Sequence, residues 1–123
     1  MRPDCVFCRP RTIATPVTVV RAPTSHLECL VFEPLNPVTP GHLLVVPTLH
    51  VESAAADPYV AAAAMEVAAE HIHERRLSAN IITSIGADAT QTVSHLHVHI
   101  VPRVAGDGLH LPWTGQRVSQ RAA

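Results

Sequence analysis

Three histidines alternate with apolar residues in the segment 95–101, which reads His-Leu-His-Val-His-Ile-Val. In an extended strand successive side chains point to opposite faces, so this spacing predicts one face of imidazoles and one face of core residues. At roughly 3.3 Å per residue the outer histidines would lie about 13 Å apart. One metal ion with bonds of about 2.0 Å cannot hold all three at that distance. The row instead suits several contacts along one extended anion.

The middle histidine, His97, is placed to act as a nucleophile towards phosphorus. A neutral imidazole can attack through Nε2 when an acceptor holds its Nδ1–H. The flanking imidazoles can contact the non-bridging oxygens and stabilise the charge that develops during transfer. The product would be a phosphoramidate, which water or another acceptor would cleave in a second step.

Two cysteines near the start of the chain, Cys5 and Cys8, have the C-x2-C spacing of a metal half-site or of a redox pair. No predicted strand precedes the pair, as a redox motif would require, and the chain has nine histidines as further ligands. Metal binding is therefore favoured, while a redox or regulatory module remains the alternative. Cys29 lies in an apolar stretch and is expected to be a buried small hydrophobe.

The remaining elements must position these residues. Asp57-Pro58 predicts a helix start, with Asp as the N-cap and Pro at the first helical position, and the helix should run to about Leu77. The polar segment 85–94 could cradle an anion with its backbone amides. Apolar and β-branched runs predict four strands besides the histidine strand, at 17–20, 27–32, 42–47 and 79–84.

Length and composition indicate one folded domain. The 123 residues are 47% hydrophobic and have a net charge of −1, without the basic excess that a general nucleic-acid binder needs. No run of about 18 apolar residues predicts a membrane span, and the N-terminus lacks the apolar region of a signal peptide. We therefore expect a cytoplasmic protein without nucleic-acid or membrane partners.

The histidine motif resembles the histidine triad (HIT) family of nucleotide hydrolases and transferases. Further segments resemble family sequence in the same order and extend the resemblance over nearly the whole chain: 4–8, 36–42, 47–50, 86–93, 102–103 and 106–108. The resemblance implies an α+β, HIT-like fold over residues 1–123. The implied fold has a five-stranded antiparallel sheet, one long helix and a shorter one. The resemblance also implies that two chains pair as a homodimer.

The resemblance also implies a function and its residues. The substrate would be a purine nucleoside phosphate derivative, attacked at its α-phosphate to give a nucleotidyl-histidine. His97 would be the nucleophile and His99 a phosphate contact, with His95 completing the triad. The implied substrate-binding residues are Asn36, His42, Ser84, Gln91 and Thr92.

Relatives with an N-terminal C-x2-C carry a structural zinc, and the matching positions here are Cys5, Cys8, His50 and His95. Residues 1–10 would then form a zinc knuckle, and residues 114–123 a flexible tail. A closed Cys2His2 set is typical of structural zinc sites. His95 would be a metal ligand beside the nucleophile.

The chain departs from the family pattern at three positions. Ser84 stands where many members have asparagine, and Thr90 stands where glycine usually precedes the glutamine. Pro34 occupies the position of an acidic residue that holds the ribose hydroxyls. These departures keep open a second function, a nucleotide-binding or scaffold protein with little turnover, which would form no adduct on His97.

Overall fold

A computed structural model describes residue 2, residues 4–9 and residues 12–114. The chain forms five strands: β1 (Val17–Arg21), β2 (Glu28–Phe32), β3 (Leu43–Pro47), β4 (Ala79–Ile82) and β5 (Val98–Pro102). They make one sheet in the spatial order β1-β2-β3-β5-β4, and every neighbouring pair is antiparallel. The predicted α+β architecture is confirmed. The predicted flexible tail lies outside the described residues apart from Thr114.

One long helix, α1 (Pro58–Arg75), connects β3 to β4. The Asp57 carboxylate accepts hydrogen bonds from the amides of Tyr59 and Val60 at 3.1 and 3.2 Å, which confirms the predicted N-cap. In the described part of the chain the shorter helical segments are 3-10 turns at Val6–Cys8 and Ala87–Ala89. No described helix is long and apolar enough to cross a membrane.

The two faces of the sheet are covered by different material. Helix α1 packs on one face through small and β-branched residues, including Ala64 and Val67, against Val45 of β3. On the other face the N-terminal segment contributes Phe7 and Ile13 to a second apolar cluster with Leu30, Phe32, Leu44 and Val46. Strand β3 is therefore buried on both faces, as its continuous apolar sequence predicts.

Cys29 lies in β2, in the apolar cluster that also contains residues of α1, with no solvent exposure. Burial raises the pKa of its thiol to about 11. The expectation that it is a buried small hydrophobe is confirmed.

The predicted continuous histidine strand is wrong for residues 95–97, because β5 begins only at Val98. Before that point the backbone bonds to loops: the Leu96 amide donates to the Val51 carbonyl at 2.8 Å, and the Thr83 hydroxyl donates to the His97 carbonyl at 2.8 Å. His95 is fully buried, since its ring turns towards the cysteines. The three imidazoles therefore do not form one open row.

Candidate active site and metal centre

A pocket of about 660 Å³ lies on the face of the sheet opposite α1. Its volume is in the range of small-molecule sites. The imidazoles of His42, His97 and His99 line it, and a largely apolar wall faces them. That wall contains Phe7, Ile13, Phe32, Leu35, Val38 and Leu44. The pocket therefore combines a polar, nitrogen-rich floor with an apolar wall.

His97 is held by backbone groups in a defined orientation. Its Nδ1 lies 2.8 Å from the carbonyl oxygen of His95. Because a carbonyl only accepts hydrogen bonds, Nδ1 carries the proton and Nε2 keeps a free lone pair. The ring of Phe7 packs edge-on against His97 with centroids 5.3 Å apart. His97 thus has the tautomer that a nucleophilic histidine needs.

His42 and His99 form a second imidazole pair beside His97. Nε2 of His42 lies 2.9 Å from Nδ1 of His99, and the rings of His97 and His99 are 5.4 Å apart. Burial lowers the pKa of His42, an effect that the Glu33 carboxylate partly offsets. Burial, with the nearby His97 and His42, lowers the pKa of His99 to about 4. Both rings are therefore neutral near pH 7.

The four predicted metal ligands are brought together beside the pocket. One donor atom from each of Cys5, Cys8, His50 and His95 lies within 4.8 Å of the others. Nδ1 of His95 is 3.3 Å from Sγ of Cys5, and Nδ1 of His50 is 3.1 Å from Sγ of Cys8. Nε2 of His95 lies 2.7 Å from the Pro47 carbonyl, so it carries the proton and leaves Nδ1 bare towards the sulfurs. Donor types, spacing and tautomer fit a tetrahedral Cys2His2 zinc site.

The segment before β5 places the predicted substrate-binding residues unequally. The Gln91 amide donates to the carbonyls of Glu52 and Val93 at 2.6 and 3.0 Å, and its oxygen accepts the Gly86 amide at 2.9 Å. The Gln91 side chain therefore stabilises the loop before β5 through these hydrogen bonds. It is not among the residues that line the pocket. The predicted residues that do line it are Asn36, His42, Ser84 and Thr92.

Thr90 also lines the pocket, with its backbone in the left-handed region at φ 65°. A β-branched residue is strained there, whereas glycine is not. The family pattern has glycine at this position, which agrees with the backbone that the structure shows. Thr90 therefore introduces backbone strain into a turn at the edge of the pocket, where glycine would have none.

Three contributions to the site were missed by the sequence reasoning: the ring of Phe7, the hydroxyl of Thr83 and the amide of Val38. Phe7 lies between the two cysteines, so its place in the knuckle was a usable signal. Thr83 follows β4 directly, next to the histidine segment. The amide of Val38 leaves no trace in residue type, because every residue except proline has one.

Comparison with known proteins decides the family. The sequence model of the HIT domain matches residues 24–106. The chain belongs to the HIT family. No curated protein is similar enough in sequence to count as a relative of this HIT protein.

Solved structures agree with the assignment. A histidine triad protein from Clostridium difficile is 31% identical, with a TM-score of 0.68 over 91% of this chain and 96% of that one. A Zn-bound histidine triad family protein from Mycobacterium smegmatis is 30% identical, with a TM-score of 0.67 over 87% and 80%. A HIT family hydrolase from Clostridium thermocellum, at 22% identity, shares the fold with a TM-score of 0.70 over 86% and 96%.

Proposed function

We propose that this HIT protein is a nucleotide hydrolase or nucleotidyl transferase that attacks the α-phosphate of a purine nucleoside phosphate derivative through His97. The observation that carries the proposal is the tautomer of His97. Its Nδ1–H is engaged by the His95 carbonyl, and within residues 12–114 its Nε2 has no hydrogen-bond partner. A bare ring nitrogen beside a pocket of nucleotide size is a nucleophile in position.

In the first step the Nε2 lone pair of His97 forms a bond to phosphorus while the bond to the leaving group breaks. The leaving group takes the bonding electron pair. In the second step water, or another acceptor in a transfer reaction, attacks phosphorus and releases its proton to solvent. The P–N bond breaks with its electron pair returning to Nε2, which regenerates the imidazole. His99 and Thr92 line the same pocket and would contact phosphate oxygens, and its apolar wall would pack against the base. Nucleoside phosphoramidates and dinucleoside polyphosphates both have such leaving groups.

We further propose that Cys5, Cys8, His50 and His95 hold one structural zinc ion. The fit of the donor set and the Zn-bound relative from Mycobacterium smegmatis support this. When bound, zinc would keep both thiols deprotonated and cross-link the knuckle, residues 1–10, to His95. The zinc would not take part in the reaction, because its ligand His95 faces the cysteines and is not among the residues that line the pocket. The reaction would be carried out by His97 and the other pocket residues.

A homodimer, expected from the family resemblance, is also proposed. Strand β4 ends the sheet order, so one side of its backbone pairs with no other strand in the described part of the chain. Ile82 in this edge strand is 39% exposed. An unpaired edge strand with an exposed apolar residue is suited to a contact with a second copy. A monomeric mass in solution would contradict the dimer. The cytoplasmic location stays a prediction.

The test of the function is a substrate panel with a matched pair of histidine variants. Adenylyl and guanylyl phosphoramidates and dinucleoside polyphosphates are assayed for release of the nucleoside monophosphate. His97→Ala should reduce turnover at least about 10³-fold with its fold intact. The control is His73→Ala, because His73 is an exposed histidine on α1. Parent-like turnover by His97→Ala on every active substrate would reject the nucleophile, and binding without turnover would favour the scaffold alternative.

A further inference from the structure

We propose that the backbone amide of Val38 fixes the proton positions on His42 and His99, so that His99 presents an Nε2–H donor to a substrate phosphate. The inference rests on the proposed function only in naming phosphate as the acceptor. Val38 would be a positioning residue, because it acts on the ligand through two imidazole rings.

The first step is set by the contact between Val38 and His42. The Val38 amide donates to Nδ1 of His42 at 3.1 Å. An amide nitrogen accepts no hydrogen bond, so Nδ1 must be bare. Since burial keeps the His42 ring neutral, its single ring proton lies on Nε2.

The second step passes this choice to His99. Nε2 of His42 is 2.9 Å from Nδ1 of His99, so His42 donates and His99 accepts. The neutral ring of His99 then carries its own proton on Nε2, and that nitrogen makes no hydrogen bond within residues 12–114. The backbone of His99 is held between Leu44 of β3 and Ile82 of β4, and its ring packs against the rings of His42 and His97.

The direction of the relay matters for an anionic ligand. An Nε2–H attracts a phosphate oxygen, whereas the other tautomer would aim a lone pair at it. A neutral imidazole without a fixed partner exchanges between both forms. With the tautomer already fixed, substrate binding does not have to supply the free energy needed to select the Nε2–H form of His99.

The loop that supplies the amide has few amides to offer. Between residues 34 and 40 three positions are proline and have no N–H. The loop is closed at its end by the His42 amide, which donates to the Thr39 carbonyl at 3.1 Å. Val38 is 54% exposed, and its hydrogen bond to His42 is made by the backbone amide.

The experiment reads the tautomers directly by long-range ¹H–¹⁵N NMR of the histidine rings, which distinguishes protonated from bare ring nitrogens without any substrate. Val38→Pro removes the amide, and Val38→Ala is the matched control that keeps it. If Val38→Pro does not fold, His42→Ala and His42→Gln form a second pair, because glutamine has an amide that can donate where Nε2 did.

We expect a single Nε2–H tautomer of His99 in the parent, in Val38→Ala and in His42→Gln. Val38→Pro and His42→Ala should show both tautomers and a kcat lowered about tenfold, the effect of one misdirected hydrogen bond to a charged group. A parent with the His99 proton on Nδ1 would overturn the proposal. An unchanged tautomer of His99 in folded Val38→Pro, or in His42→Ala, would do the same. Because the NMR readout needs no turnover, failure of the nucleotidyl chemistry would be seen separately.

Discussion

His95 and His99 lie four residues apart, the first fully buried and the second at the wall of the pocket, and they offer opposite groups to their surroundings. The Pro47 carbonyl accepts the Nε2–H of His95, which leaves a lone pair on Nδ1 for a metal. The Val38 amide acts through His42, which leaves a proton on Nε2 of His99 for an anion. The two backbone groups flank opposite ends of β3. The difference teaches that a backbone carbonyl or amide at the end of a chain of ring contacts determines which nitrogen of a neutral imidazole keeps its lone pair.

His97 lies between these two cases and follows the first. A carbonyl, that of His95, fixes its proton on Nδ1, so it too offers a lone pair. The lone pair of His97 is on Nε2, in a ring that lines the pocket, whereas that of His95 is on Nδ1, beside the cysteine sulfurs. In the proposed function, the same residue type would therefore supply a metal ligand, a nucleophile and a hydrogen-bond donor along five residues of chain.

The largest effect is expected at the metal end. Cys8→Ser should lose the proposed single zinc per chain and lower the free energy of unfolding by at least about 3 kcal/mol, because metal binding is coupled to folding. Zinc content and chemical denaturation measure both. Cys29→Ala is the control: it removes a buried thiol that is not one of the four clustered donors and should keep the zinc. Parent-like zinc affinity in Cys8→Ser would contradict the ligand set.

The donor end should respond in catalysis and leave the metal in place. His99→Ala removes a phosphate donor, and we expect kcat to fall about 10- to 100-fold while zinc content is unchanged. His95→Ala should instead lose zinc, because it removes one of the four proposed metal ligands. Single-turnover assays and metal analysis on both variants test the contrast. Equal zinc loss in the two variants would remove the distinction between these histidines.

The contribution of His99 to the free energy of unfolding should depend on pH. Its folded pKa of about 4 lies below the ordinary value of 6.5, so the unfolded chain binds a proton first as pH falls. Stability from this group is complete above pH 6.5 and is lost as the pH falls towards 4. We expect His99→Ala to reduce the loss of unfolding free energy over that interval by about 1–2 kcal/mol. Parallel curves for parent and variant would contradict it.

The smallest effect is expected at Thr90. Thr90→Gly relieves a left-handed backbone conformation and should raise the free energy of unfolding by about 1 kcal/mol, after the entropy that glycine adds to the unfolded chain. Thr92→Gly, at a neighbouring position without positive φ, should instead be destabilising. Thermal denaturation compares the two. A loss of stability in Thr90→Gly would mean that its side-chain contacts outweigh the strain.

Most of the fold could be predicted from local sequence, because local rules determine those elements. Asp57-Pro58 begins α1, and the continuous apolar run of β3 places it at the centre of the sheet. Residues 95–97 could not be predicted as irregular, since their alternation is that of a strand and only the contacts with distant loops override it. For the same reason the roles of Gln91 and of the Val38 amide depend on partners that are remote in sequence or belong to the backbone.

The most direct test of the account is the atom at which the intermediate forms. Protein mixed with an adenylyl substrate is quenched within one turnover, and the adduct is located by peptide mass mapping and by ³¹P and ¹⁵N NMR. We expect one nucleotidyl group per active chain, on Nε2 of His97. An adduct on Nδ1, an adduct on another histidine, or turnover without any adduct would contradict it.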